Sequence, residues 1–168
     1  MKKVVYFIMF AVVGSFSGLY AQESATATAT ATVVAPIAIT KSADMIFGNV
    51  AVSASTSGTV VLAPGGTRTV TGGATIPATT GTVNAAAFDI TGEAGYTYSI
   101  TLPSSITLND GGVNNMTVDT FTSTPSGTGT LTAGAETVNV GATLNLAAAQ
   151  ASGTYSNTSD LTVTVNYN

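Results

Sequence analysis

From residue 22 onward, apolar and polar side chains alternate with a period of two, interrupted at short intervals by clusters of Gly, Pro, Asn and Ser. Strand-length runs bounded by turn residues at such spacing predict an all-β sandwich. The segment FDITGEAGYTYSITL, residues 88–102, shows the pattern best. Phe88, Ile90, Tyr96, Tyr98, Ile100 and Leu102 share one parity, while Asp89, Thr91, Thr97, Ser99 and Thr101 take the other. The Gly-containing stretch 92–95 is expected to turn a hairpin, with Tyr96 and Tyr98 both on the buried face. Val138, Val140, Ala142, Leu144 and Leu146 make a second row, in which Gly141 marks a bend or bulge. Further strands are expected at 46–50, 59–62, 68–71, 116–123 and 161–167, with a bulge where the parity shifts between Val118 and Phe121. The whole fits an antiparallel sandwich of about seven to nine strands. No stretch predicts a helix beyond a single turn at 147–151.

Composition supports this reading. Thirty-one residues are Thr and only 7% are charged, so the surface must be rich in hydroxyls rather than ions. Thr loses side-chain freedom in a helix and fits a pleated strand.

The first residues have the pattern of an export signal. Lys2 and Lys3 precede an apolar run over 4–16, and Leu19, Tyr20 and Ala21 offer a cleavage site ending in a small residue. The apolar run falls short of the roughly 20 residues of a spanning helix and is followed by Ser17 and Gly18, so no membrane span is expected after cleavage. The organisation predicted is a signal peptide over 1–21, an N-terminal extension over 22–34 and one sandwich domain over 35–168. The expected location is outside the cytoplasm: extracellular, on the cell surface or in the periplasm. Cleavage would leave Lys41 and Arg68 against eight Asp and Glu. That balance argues against a nucleic-acid partner, because phosphate binding needs clustered cations.

The chain has no His and no Cys. Ser-His-Asp and Cys-His catalysis, the usual zinc sites and any disulfide are therefore excluded. Among the eight carboxylates, Asp44, Asp89, Glu93, Asp110, Asp119, Glu136 and Asp160 show no paired spacing, and no Trp is present to stack a sugar. No catalytic residue, cofactor or metal site is predicted, and enzymatic activity is not expected. LNDGGVNN, residues 108–115, offers oxygen ligands in Asn109, Asp110, Asn114 and Asn115, but a single carboxylate makes a poor cage for a divalent cation. A turn between two strands is the favoured reading there.

The extension itself is unusual. Ala25, Ala27, Ala29, Ala31, Val33, Ala35, Ile37 and Ile39 are odd-numbered, while Thr26, Thr28, Thr30 and Thr32 are even. One face is thus apolar from 25 to 39, about 50 Å if fully extended at ~3.3 Å per residue. An ordinary sandwich strand spans only ~17–20 Å. Pro36 lacks the N–H that a central ladder requires, so the domain's own first strand is expected from Ile37 onward. Three fates remain open for the residues before it: an unstructured linker, a long first strand of its own domain, or a strand added to the sheet of a neighbour. At the other end, Leu161, Val163, Val165 and Tyr167 alternate with Thr162, Thr164, Asn166 and Asn168. That strand is expected to be either central or an edge that must be managed against uncontrolled pairing. The residues singled out for assembly are therefore Ala25, Ala27, Ala29, Ala31 and Val33 with Leu161, Val163, Val165 and Tyr167.

The ordered series ATATVVAPIAIT, FGNV at 47–50, RTVTGG at 68–73, FDITGEAGYTYSITLP at 88–103, MTVDTF at 116–121, VGATLNL at 140–146 and GTYSNTSDLTVTVNYN at 153–168 resembles the bacterial domain of unknown function 4402 family. More distantly, the FG turn and the GTY and TVTVNY ending are similar to spore coat protein U and the chaperone–usher pilins. That similarity implies an immunoglobulin-like, pilin-like domain whose N-terminal extension acts as a donor strand, with a periplasmic chaperone as a partner. This chain differs from them in lacking a cysteine pair and in having an Ala-rich extension. The function expected is a secreted structural or adhesive cell-surface subunit that associates with itself or with another surface subunit, polymerising by strand addition. The alternative is a monomeric secreted glycan-binding module, with Tyr96, Tyr98 and Tyr155 as its stacking groups. An ice-binding Thr ladder on the even face of 26–32 would need several stacked rows, and one is visible.

Overall fold

The computed structural model describes residues 22–157 and 161–168. The expected signal peptide lies outside the described residues. The chain divides into two units, Met1–Val33 and Val34–Asn168. In the first, residues 22–33 belong to no strand or helix and are exposed.

The second unit is all-β. Its strands are β1 (Ala38–Ala43), β2 (Ala51–Val52), β3 (Gly58–Leu62), β4 (Arg68–Gly72), β5 (Ala74–Thr75), β6 (Ala86–Thr91), β7 (Thr97–Thr101), β8 (Ser105–Asn109), β9 (Asn115–Thr124), β10 (Thr128–Thr130), β11 (Ala135–Leu146) and β12 (Thr164–Tyr167). Among the described residues there are twelve strands rather than seven to nine, and the excess lies in short pieces such as β2, β5 and β10. No described helix is long and apolar enough to cross a membrane.

Every strand pair is antiparallel, and β11 organises the larger sheet. Asn139 and Val140 pair with both β6 and β9, and 143–145 pair with both β3 and β9. One edge of β11 therefore carries β6 and then β3, while its other edge carries β9. β1 extends the sheet beyond β6, β4 beyond β3 and β8 beyond β9. A three-stranded sheet in the order β10-β7-β12 faces it, and β2 pairs with β5 separately.

The alternation in β11 works as its sequence demands. Val138, Val140, Ala142, Leu144 and Leu146 are all buried, each of the larger ones contributing about 1.5–3 kcal/mol by leaving water. The row spans two core clusters. Val138 and Val140 pack with Phe88, Ile90, Tyr98, Leu131, Val163 and Val165. Ala142, Leu144 and Leu146 pack with Phe47, Val60, Leu62, Ile106 and Val118. Met45, Phe121 and Leu161 touch both clusters. The expected bulge falls in β9, where Thr120 has a φ of 50° and the register slips opposite the interval between Gly141 and Thr143.

Three expectations are corrected. β6 and β7 do not form a hairpin: β6 pairs with β1 and β11, whereas β7 pairs with β10 and β12 in the facing sheet. The 92–95 turn is an arch between layers, bonded through Gly92 N–H to Gly134 and through Gly95 N–H to Leu131. Equal parity in the two strands means here that their apolar rows meet across the core. Tyr96, expected to be buried, is 44% exposed, because it sits in the arch just before β7 begins. Residues 46–50 form no strand beyond one bridge from Ile46 to Asn84. Gly48 there adopts a φ of 71°, outside the extended region.

Candidate functional site

The nine residues singled out for assembly fall into two groups. Ala25, Ala27, Ala29, Ala31 and Val33 lie in the exposed segment without strand structure. Leu161, Val163, Val165 and Tyr167 come together in the sandwich, where Val163 and Val165 are core residues and Leu161 is half-buried. Their side chains are committed to the domain's own interior. What β12 presents outward is Thr164, Asn166 and a backbone edge that no other described strand pairs, since among the described residues it pairs with β7 alone.

Tyr167 ties three parts of the chain together. Its hydroxyl accepts the Glu93 N–H at 2.6 Å and donates to the Ala35 carbonyl at 2.9 Å. The Glu93 carboxylate in turn accepts the Ala35 N–H at 2.9 Å. Ala35 is thus held by both its backbone groups. Gly92 is needed for this, since a Cβ there would overlap the Tyr167 hydroxyl and Leu131. The Tyr167 ring also meets Tyr96 edge-on, with centroids 5.6 Å apart.

A second polar contact closes the small sheet. Tyr98, fully buried, donates to Glu136 at 2.7 Å, and the Thr130 N–H donates to the same carboxylate oxygen at 2.9 Å. Burial, reinforced by the hydrogen bond and by the negative charge of Glu136, raises the Tyr98 pKa well above its ordinary value. Gly129 lies against that contact, and any Cβ would strike the Tyr98 ring and Glu136.

The domain carries a slot of about 880 Å³. One wall is the irregular segment after β1, including Met45, Phe47 and Val50, and the other is the stretch 153–157 with Leu161. Its floor is the inner face of the large sheet at Ile106, Leu108, Met116, Val118, Leu144 and Leu146. Arg68 braces the first wall by donating to the carbonyls of Phe47, Asn49 and Thr80. The second wall is held to β8 by Ser156, which exchanges backbone bonds with Asn109 at 2.9 and 3.0 Å. Lys41 and Asp44, the charged groups that line the slot among the described residues, pair with each other.

The 108–115 loop uses its carboxylate internally. Asp110 accepts hydrogen bonds from Gly112 N, Asn114 N and Asn114 Nδ2. The Asn114 side chain, followed by the Gly112 backbone, lowers its pKa. Among the described residues no three His, Cys, Asp or Glu side chains gather where they could share a metal. Of the proposed stacking groups, Tyr98 is buried. Tyr155 is half-buried, with its hydroxyl donating to Ala151 and accepting from Gln150.

A family model described as domain of unknown function 4402 matches residues 37–167. The chain belongs to that family. No curated protein matches the chain, and no solved structure does. The match begins just past Pro36, so the DUF4402 domain coincides with the sandwich and leaves the Ala/Thr segment outside it. Two of the sequence motifs that carry the DUF4402 resemblance meet at Arg68, which holds the FGN carbonyls. Two others meet where Tyr167 grips the 92–93 arch. Sequence reasoning missed Arg68, Glu93 and Glu136 in these roles. Arg68 alone carried a signal, as the single arginine of a nearly uncharged chain.

Proposed function

We propose that this DUF4402 chain is an exported structural or adhesive cell-surface subunit that self-associates by strand addition through its N-terminal extension. The observation that carries this reading is the state of residues 22–33. They keep a one-sided apolar row at Ala25, Ala27, Ala29, Ala31 and Val33, yet are exposed and belong to no strand, and Val33 reaches 94% exposure. An alternating segment with unused backbone groups can gain a full ladder of hydrogen bonds from an open sheet edge elsewhere. The sandwich has its own core and, among the described residues, supplies several open edges.

Deletion of residues 22–33 from the mature chain tests the proposal. Light scattering at rising concentration is expected to show assemblies for the mature chain and a folded monomer for the deletion. A mature chain that stays monomeric throughout would overturn it.

A further inference from the structure

We infer that the slot between 43–50 and 153–157 is the receiving surface, and that its occupant is residues 25–33 of a second copy of this chain. This rests on the strand-addition reading and adds to it a place and a partner.

The first argument is coverage. The three-stranded sheet covers the half of the large sheet that presents Phe88, Ile90, Val138 and Val140. Over the other half, Leu108 and Met116 remain half-buried and face the slot beside Ile106 and Leu144. A facing layer that stops short leaves apolar side chains where a further strand would lie.

The second argument is the wall. Both backbone groups of Ile46 are engaged by Asn84. The N–H groups of its neighbours, Met45 and Phe47, donate to no acceptor among the described residues. Successive residues of an extended segment direct their backbone groups to opposite edges. On the edge away from Asn84 the Phe47 carbonyl is already held by Arg68, and the N–H groups of Met45 and Phe47 are the donors left for an incoming strand.

The third argument is the match to the occupant. Residues 24–33 carry no charge, and among the described residues the charges lining the slot neutralise each other as the Lys41–Asp44 pair. Nine residues extend about 30 Å at ~3.3 Å per residue. Ala side chains let two backbones approach closely, and Met45 and Met116 have the freedom to fill what small side chains leave.

Absence of native cysteine permits a clean test. Mature chains bearing Ala27→Cys, Ala29→Cys or Ala31→Cys are mixed in turn with a chain bearing Thr154→Cys, Asn166→Cys or Val61→Cys, and oxidised mildly. The expected result is mixed disulfide dimers with Thr154→Cys and none with Val61→Cys, lost when Ala29→Asp and Ala31→Asp are added to a tail whose cysteine is at residue 27. Coupling to Asn166→Cys instead would place the tail on the β12 edge and overturn the slot while leaving assembly intact. Closure within one chain carrying both Ala29→Cys and Thr154→Cys would overturn the second copy as occupant. No coupling together with a monomeric mature chain would overturn both readings.

Discussion

Tyr167 and Ala35 lie 132 positions apart in sequence and are joined by a 2.9 Å hydrogen bond from hydroxyl to carbonyl. Through it the last strand holds the chain at the residue just before Pro36, where the sandwich begins. Glu93 completes the grip from the arch between the two sheets.

Tyr167→Phe keeps the ring against Tyr96 and removes only the hydroxyl. The variant is expected to lose about 1–2 kcal/mol, the net worth of a hydrogen-bonding group whose partners are partly solvated. Urea unfolding measures this as a lower midpoint with an unchanged slope. An unaltered midpoint would show that the grip contributes nothing to stability.

The Tyr98–Glu136 contact gives stability a defined alkaline dependence. The folded Tyr98 pKa is raised, while an unfolded tyrosine ionises near 10. The folded chain thus holds its proton where the unfolded chain releases it. The contribution is complete below about pH 10 and falls as the pH climbs from there toward the folded value. Unfolding midpoints at pH 8 and pH 11 should fall more steeply for the native chain than for Tyr98→Phe. Equal slopes would count against the assignment.

Arg68 spans two loops by donating to Phe47, Asn49 and Thr80. Arg68→Ala is expected to cost about 1–2 kcal/mol, charge-assisted bonds being worth more than neutral ones but discounted here for solvent screening. Arg68→Lys should recover little of it, since an ammonium cannot reproduce the planar fork. Hydrogen exchange should quicken at Asn49 and Asn84, whose N–H groups bond Thr80 and Ile46. Unchanged exchange in both variants would show that the slot wall stands without its brace.

Strand positions were legible wherever alternation met a burial requirement. The rows in β6 and β11, the bulge in β9 and the start of the first strand after Pro36 follow from side-chain period and from proline's missing donor. The residues around 46–50 misled, because their apolar content serves the core while Gly48 and Arg68 hold the backbone in an irregular course. Tyr96 misled for a related reason: parity assigns a face only where a strand exists to have one. The candidate slot was illegible, since its walls and floor come from stretches 41–50, 82–88, 106–118, 144–146 and 153–157 with Leu161, and no local pattern records their convergence.

The sequence alone determined that this chain builds strands, carries no histidine or cysteine chemistry and has a regular Ala/Thr row ahead of its domain. Side-chain period, residue type and the absence of particular groups are local properties, and they settle such matters without a partner. Only the tertiary structure decided that β6 and β7 face each other across the core, that Tyr167 grips Ala35 and that the large sheet is incompletely covered. These depend on which strands share a sheet, and long-range pairing between similar alternating segments is chosen by the packing of the whole domain.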